Sequence, residues 1–479
     1  MHYMNLKSIT YSKILKPPSL IVFSIWERKV LLLLVDFLIL FSALFFYYKS
    51  NNNQLNLQEF VEHNYSGIIY GLSLFWFLAV VFNLYNLEYI NKTRRVLPLV
   101  FFIGILFTTT FVFTPILTPH LPRHRIYILG LVFGFTFLLA FWRALYTNII
   151  HTRIFLKNII LLVSADYDNN FIAHARNSIE GNNYQNGYKI QRIYPIPSGN
   201  NSIDDLARTI AKISSQKLID NIVILDTNHE NVSEKLNNVL IKAIQYGINV
   251  QTYLKLYEEI KEALPLILAG RQFYSIFPIS RYNANYIYYL WHRVLDIVSS
   301  IFGLITAVLF IPFIALINLF LNQGPLFYSQ WRVGKGGKEF KITKFRSMVI
   351  DAEKDGAKMS AKGDARITSL GKILRKTRID ELPQFWAVLK GDMSLIGPRP
   401  ERKIFIDKIA HNIPFYNARH LVKPGITGWA QVKYPYGENL EDSYNKLEYD
   451  LYYIKNKSVT LDIRIIFKTI NTIIFSKGQ

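Results

Sequence analysis

Four apolar stretches open the chain, at Val30 to Tyr48, Ser66 to Leu84, Val96 to Leu117 and Tyr127 to Tyr146. Each is near the ~20 residues a helix needs to cross a hydrocarbon core. The polar pieces around them differ in charge. Lys7, Lys13, Lys16, Arg28 and Lys29 lie before or at the edge of the first stretch, and Lys92, Arg94 and Arg95 lie between the second and third. The Asn-rich connection Asn51 to Tyr65 carries no Lys or Arg. The positive-inside bias predicts that the N-terminus and the second connection face the cytoplasm, with Arg123 and Arg125 as exceptions on the other side. Four crossings then return the chain to the cytoplasm, where Arg153 and Lys157 follow. The polar, basic start, with no small-residue cleavage site after the first apolar run, predicts no cleavable signal peptide.

The pattern then changes to short apolar runs between amphipathic ones. Asn158 to Ser164, Asn221 to Leu225 and Ile248 to Tyr253 read as strands, and Ile203 to Ser214 and Ser233 to Tyr246 read as helices. This alternation predicts a parallel, Rossmann-like sheet. The residues after the first strand, Ala165-Asp166-Tyr167-Asp168, lack the glycine turn that cradles a dinucleotide phosphate. The expectation is a spacer or regulatory domain without bound nucleotide.

A fifth apolar stretch, Ile297 to Leu321, is uncharged and contains Pro312. Its length permits a full, kinked crossing. Its flanks, Arg293 before and Arg332, Lys335, Lys338 and Lys341 after, favour both ends in the cytoplasm. A re-entrant hairpin broken at Pro312 satisfies both features, because proline removes a helical hydrogen bond. Near the end, Leu461 to Phe475 is apolar around most of its circumference, which fits either an interfacial helix or a core helix. Three regions are expected: a four-helix transmembrane region over 1–150, a cytoplasmic α/β domain over 151–285, and a mainly α-helical domain over 286–479 with its membrane helix at 297–321.

Composition agrees with a mixed membrane and soluble protein. Of 479 residues, 51% are hydrophobic and only 19% charged. The net charge of +21 points, beside so many apolar runs, to anionic lipid and phosphorylated substrates rather than to nucleic acid. The absence of cysteine excludes disulfides, thiolate metal sites and a cysteine nucleophile.

Chemistry concentrates after residue 322. Arg378-Ile379-Asp380-Glu381-Leu382-Pro383-Gln384 reads as the start of a helix that continues through Phe385, Trp386 and Leu389 and stops at Gly391. Taken alone, Asp380 and Glu381 read as a plain helix cap, since Asp before Pro is common at a helix start. Their surroundings add a second meaning. Arg399 stands between Pro398 and Pro400, a rigid presentation that suits bidentate phosphate binding. Lys423-Pro424-Gly425-Ile426-Thr427-Gly428 joins a basic residue to glycines whose N–H groups are able to approach an anion. Upstream, Arg332 to Lys338 is Gly- and Lys-rich, and Lys344 and Arg346 lie close behind. An acidic pair among rigid basic elements suggests phosphoryl chemistry with a divalent metal.

From about Tyr289 onward the chain resembles the bacterial sugar transferase family, the monotopic polyprenyl-phosphate phosphoglycosyl transferases. The resemblance rests on His292-Arg293-Val294-Leu295-Asp296, KFRSM from Lys344, DELPQ from Asp380, GDMSLIGPRPE from Gly391 and KPGITGWAQV from Lys423. The family's first motif usually opens with Lys-Arg, where this chain has His292-Arg293. The N-terminal crossings and α/β domain are similar to the family's long form. The tail from Tyr434 is similar to its exopolysaccharide-biosynthesis branch.

The resemblance implies an enzyme of the bacterial inner membrane, with its catalytic domain in the cytoplasm, that passes a hexose 1-phosphate from a UDP-sugar to undecaprenyl phosphate. It implies Asp380 as nucleophile on the β-phosphorus with UMP released. Glu381 would hold a metal or activate the acceptor, with Mg²⁺ or Mn²⁺ held by Asp380 and Glu381. Arg375, preferred over Arg378, would bind substrate phosphate together with Arg399, Lys344, Arg346 and Lys423. A homodimer is suggested by the long form. Two other readings stand beside this one: a membrane glycosyltransferase that releases UDP, and a non-catalytic scaffold of a polysaccharide assembly complex.

Overall fold

The computed structural model describes residues 25–51, 56–82, 84–85, 93–114, 126–150, 156–164, 167–181, 186–196, 200–216, 219–225, 234–268, 273, 276–277, 286–354, 356, 364–434 and 439–474. Lys7, Lys13, Lys16, Lys92, Arg123, Arg125, Arg153, Ala165, Asp166, Ser233 and Phe475, all used in the sequence reading, lie outside them. Two compact units form, one up to Lys261 and one from Glu262 onward, with 80–83 grouping with the second.

The first unit opens with helices α1 (Ile25–Asn51), α2 (Leu57–Val81), α3 (Thr93–Val112) and α4 (Ile126–Ile150). Lys29–Lys49, Leu57–Val81 and Tyr127–Asn148 are long and apolar enough to cross a membrane, and Val96–Val112 is a shorter apolar helix. The expected third crossing extended to Leu117, but 115–117 lie outside the described residues. One expectation needs correction. The polar connection drawn from Asn51 to Tyr65 is helical from Leu57, ahead of the expected start at Ser66. Hydropathy hides this first turn because Gln58, Glu59 and Glu62 are polar. Helix α2 then departs from helical angles at Asn64 (φ −123°, ψ 19°), whose side-chain amide donates to the Phe60 carbonyl at 3.1 Å. Phe75, Phe107 and Phe135 pack ring to ring inside the bundle. Leu38, Phe46, Phe133 and Phe137 are exposed, as suits a lipid-facing surface. Asp36 on α1 and Arg143 on α4 form a fully buried ion pair. Such pairs are rare inside membrane segments and face the bundle interior.

The α/β part contains β1 (Lys157–Ser164), α5 (Asn169–Glu180), β2 (Tyr188–Ile196), α6 (Asn200–Ser215), β3 (Asn221–Leu225), α7 (Glu234–Gln245), β4 (Asn249–Thr252) and α8 (Tyr253–Lys261). All strands run parallel in the order β2-β1-β3-β4. Central β1 is buried at Ile159 to Ser164, which explains its unbroken apolar sequence. The edge strand β2 escaped the sequence reading because Lys189, Gln191 and Arg192 interrupt it. Asp168 caps α5 by accepting from the Phe171 N–H at 2.9 Å.

The second unit begins before its long apolar helix. Leu264 N and Leu266 N donate to the Glu448 carbonyl and Glu448 Oε1, both at 3.0 Å, and Trp429 Nε1 donates to the Glu262 carbonyl at 2.9 Å. Helix α9 (Tyr286–Leu321) follows, with Pro312 inside it. Asp296, Ser300, Gly303, Ala307, Ile314 and Asn318 are buried along one side. Phe302, Phe313 and Phe320 on other sides are 70%, 66% and 76% exposed, an apolar surface left open by the described residues. A methyl on Gly303 would run into the Phe385 ring, so glycine permits this close approach. Strands β5 (Phe327–Val333) and β6 (Glu339–Phe345) form an antiparallel hairpin. Then come α10 (Ser369–Thr377), a 3₁₀ segment at Ile379–Gln384, α11 (Phe385–Lys390), β7 (Ser394–Ile396), α12 (Lys403–Asn412), a 3₁₀ segment at Tyr416–Leu421, β8 (Gly425–Thr427), α13 (Trp429–Lys433), α14 (Leu440–Lys455) and α15 (Val459–Ile474). Strands β7 and β8 pair in parallel. On α15, Leu461, Asp462 and Ile465 are buried while Ile463 and Ile470 are exposed.

Candidate active site

Thr368 starts the helix that leads into the site, accepting from Gly371 N at 3.0 Å. A side chain on Gly371 would meet the Ser347 carbonyl, so α10 packs tightly on the turn after β6. Arg375 sits in its last turn. Arg378 ends the helix in the left-handed region at φ 60°, and this turn delivers Asp380 and Glu381 into the 3₁₀ segment. The expected α-helix from Leu382 is thus 3₁₀ through Gln384 and α only from Phe385, with Gly391 (φ 93°) at its end as expected.

Both carboxylates are buried, and they differ in company. Glu381 Oε1 faces three cations: Lys344 Nζ at 3.2 Å, Arg399 Nη2 at 3.2 Å and Arg378 Nη1 at 3.6 Å. Burial pushes the Glu381 carboxyl upward, but Lys344, Arg399 and Arg378 outweigh it and hold the group below the usual carboxylate range. Asp380 has a buried Oδ1 with no hydrogen-bond partner. Burial, and then the neighbouring Glu381 charge, push its carboxyl up to about 6, against the pull of Lys344, Arg375 and Arg378. Lys344 is lowered by loss of water and partly restored by Glu381. One carboxylate is therefore neutralised, and the other keeps an oxygen free of hydrogen-bond partners.

The remaining candidates separate. Arg375 Nε donates to Ser347 Oγ at 2.9 Å, and its charge acts on Asp380. Arg378, set aside in the sequence reading, reaches Glu381; its place at the end of α10, three residues before Glu381, was the available signal. The Arg346 guanidinium donates to the carbonyls of Pro325 (2.7 Å) and Asn322, and these bonds hold the turn after α9. Lys423 belongs to another group: its Nζ lies 3.3 Å from where a Cβ on Gly391 would stand, and its charge neighbours are Arg293, Asp296, Lys335 and Asp392.

The reading of Gly425 needs correction. Gly425 N donates to the Pro398 carbonyl and Gly397 N to the Thr427 carbonyl, each at 2.9 Å. Their lack of side chains lets two strands meet closely, and these N–H groups are not directed at an anion. The His292–Asp296 motif clasps the same region. Arg293 donates to the Val388 and Leu389 carbonyls at 3.1 and 2.9 Å, closing the C-terminus of α11. Asp296 Oδ1 accepts from Ser394 Oγ at 2.7 Å and from Leu395 N at 2.8 Å.

Two carboxylates, one of them with a buried, partnerless oxygen, fit a divalent ion that takes most of its ligands from substrate phosphates and water. Among the described residues no third His, Cys, Asp or Glu completes a metal cluster. Asp380 fits such an ion better than Glu381, whose Oε1 already faces three cations.

Residues 287–476 match the bacterial sugar transferase family. The UDP-N-acetylgalactosamine-undecaprenyl-phosphate N-acetylgalactosaminephosphotransferase of Aeromonas hydrophila is 49% identical over 193 residues, covering 40% of this chain and 45% of that protein. The UDP-glucose:undecaprenyl-phosphate glucose-1-phosphate transferase of Klebsiella pneumoniae is 40% identical over 197 residues, 41% of this chain and 42% of that one. The sugar transferase EpsL of Bacillus subtilis is 38% identical over 187 residues, which cover 39% of this chain and 88% of EpsL. The chain thus spans less than half the length of the first two relatives and most of the third.

Proposed function

The chain belongs to the bacterial sugar transferase family, and on that premise we propose that it is an undecaprenyl-phosphate sugar phosphotransferase that takes a hexose 1-phosphate from a UDP-sugar and releases UMP. The observation that carries the reading is the unlike pair: Glu381 neutralised by Lys344, Arg378 and Arg399, and Asp380 with an unpartnered buried oxygen.

In the first step an Asp380 oxygen attacks the β-phosphorus, and the bond from that phosphorus to the bridging oxygen breaks. UMP leaves with the bridging oxygen and its electron pair, and a phosphosugar ester remains on Asp380. In the second step an oxygen of undecaprenyl phosphate attacks the same phosphorus and the Asp380 carboxylate departs. With its carboxyl near 6, Asp380 is mostly ionised at neutral pH and needs no separate base. Lys344, Arg378 and Arg399 supply fixed positive charge where phosphate charge builds up. A Mg²⁺ or Mn²⁺ ion held by Asp380 would supply further positive charge to the diphosphate.

We read α1–α4 as spanning the inner membrane, the parallel sheet as a Rossmann-like cytoplasmic domain, and α9 as re-entrant with a bend at Pro312. Both ends of α9 are held by one folded unit, which supports the last reading. Near its start, the Tyr288 hydroxyl donates to Asp462 at 2.9 Å, and just after its end Asn322 Nδ2 donates to the Arg346 carbonyl at 2.9 Å. A straight helix of 36 residues would separate its ends by about 54 Å. Single cysteines introduced into this cysteine-free chain test the topology. Residues of the catalytic unit before and after α9 label from the cytoplasm, and periplasmic labelling of either would refute the re-entrant reading.

Names of relatives point to N-acetylgalactosamine and glucose as sugars to test. Chain-containing membranes are incubated with each UDP-sugar and undecaprenyl phosphate, and the released nucleotide is identified. UMP that depends on the chain supports the reading. UDP indicates transfer of the sugar alone and refutes it.

A further inference from the structure

Resting on the reading of Arg399 as a phosphate ligand, we propose that Arg419 and Asp450 are positioning residues that fix the Arg399 peptide and so aim its guanidinium at the carboxylate pair. The need for such a device comes from the sequence Pro398-Arg399-Pro400. Neither proline carries an N–H, so this stretch is poorly suited to ordinary strand pairing, and the Arg399 carbonyl requires a donor from elsewhere. Arg419 Nη2 supplies it at 3.1 Å. The same nitrogen donates to Asp450 Oδ2 at 2.9 Å, which its two hydrogens allow. Nη1 donates to the Tyr416 hydroxyl, so the fork is held on both arms.

Arg419 and Asp450 are buried, with side chains 7% and 3% exposed. A fixed, charge-assisted fork in this setting allows the peptide it grips little movement. The flanking peptides are held too: the Pro398 carbonyl accepts from Gly425 N at 2.9 Å and the Glu401 carbonyl from Val333 N at 3.0 Å. The Arg399 carbonyl owes its bond to a side chain, and that side chain is anchored on α14. At the other end, Arg399 Nη2 reaches Glu381 Oε1 at 3.2 Å. A continuous path therefore runs from Asp450 through Arg419 and the Arg399 backbone to the dyad. Among the described residues neither Arg419 nor Asp450 forms a hydrogen bond or ion pair with Asp380 or Glu381, and their route to the dyad runs through Arg399.

The test is a mutant cycle on the full chain in lipid nanodiscs, assayed with UDP-N-acetylgalactosamine and with UDP-glucose against undecaprenyl phosphate. R399A is expected to lower kcat/KM by about 10²–10³-fold, as for loss of one donor to developing charge. R419Q/D450N removes both buried charges together, so neither is left unpaired, and is expected to cost about 10- to 100-fold through misplacement alone. The triple variant R399A/R419Q/D450N is expected to match R399A within about twofold, because residues acting through one group are not additive. Melting curves accompany each variant. If R419Q/D450N does not fold, R419K takes its place, since lysine keeps the charge but loses the fork. Losses that multiply in the combined variant, or an R419Q/D450N or R419K chain as active as its parent, would overturn the positioning role alone. An R399A chain with parental activity would overturn the reading of Arg399 as well.

Discussion

Replacing Asp380 by asparagine should abolish transfer and at the same time stabilise the protein. The carboxyl rises from 3.8 to about 6 in the folded chain, chiefly through burial and then through Glu381. The folded state therefore holds this proton more tightly than the unfolded chain does, and ionising Asp380 costs stability. Below about pH 4 both states are protonated and the cost is nil; it grows between about pH 4 and 6 and is complete above that. Two units at about 1.4 kcal/mol each make it on the order of 3 kcal/mol. Asparagine carries no such charge, so D380N should melt higher than the parent at about pH 8, and the difference should vanish toward about pH 4. Melting of the purified full chain in nanodiscs across this range reads both the sign and the window. A D380N chain that melts at or below the parent at high pH, or whose gain does not change with pH, would refute the claim that Asp380 is held ionised at a cost to the fold.

E381Q removes the second cause of the Asp380 shift, so the acid limb of the kcat/KM profile should move below about pH 6; an unmoved limb would show that Asp380 does not control it. R346Q should act on stability more than on chemistry, because the carbonyls of buried Asn322 and of Pro325 lose their donor, at about 1–3 kcal/mol for the buried one. A folded R346Q chain with melting unchanged but UMP release lost would return Arg346 to the phosphate ligands. D36N leaves the Arg143 charge buried and unpaired, and should destabilise by about 3–5 kcal/mol in melting or denaturant titrations.

Legibility followed the physics of each element. The apolar runs of α1, α4 and α9 announce themselves because lipid demands length and hydrophobicity together. The polar first turns of α2 do not, since a hydropathy pattern stops where Gln58, Glu59 and Glu62 begin. Central β1 is plain from its apolar run, whereas edge strand β2 is half polar and resembles a loop. In the site, Asp380, Glu381, Lys344 and Arg399 stand out by residue type, and the fold gathers them. Direction is what a linear pattern lacks. Nothing in KFRSM distinguishes Lys344, which turns to Glu381, from Arg346, which turns to backbone carbonyls. Nothing in KPGITG separates a glycine offering its N–H to an anion from one that lets two strands touch. Arg419 and Asp450 are 31 residues apart, and no local pattern pairs them.

The central claim is a bond between Asp380 and the phosphorus of the sugar phosphate. Full-length chain is incubated with UDP-sugar in the absence of undecaprenyl phosphate, quenched, digested and read by mass spectrometry. The account predicts a peptide containing Asp380 that is heavier by one hexose or N-acetylhexosamine phosphate, formed with an equivalent of UMP and discharged when undecaprenyl phosphate is added. A chain that turns over donor only when acceptor is present, with no modified peptide at any time and UDP as the nucleotide released, would contradict it.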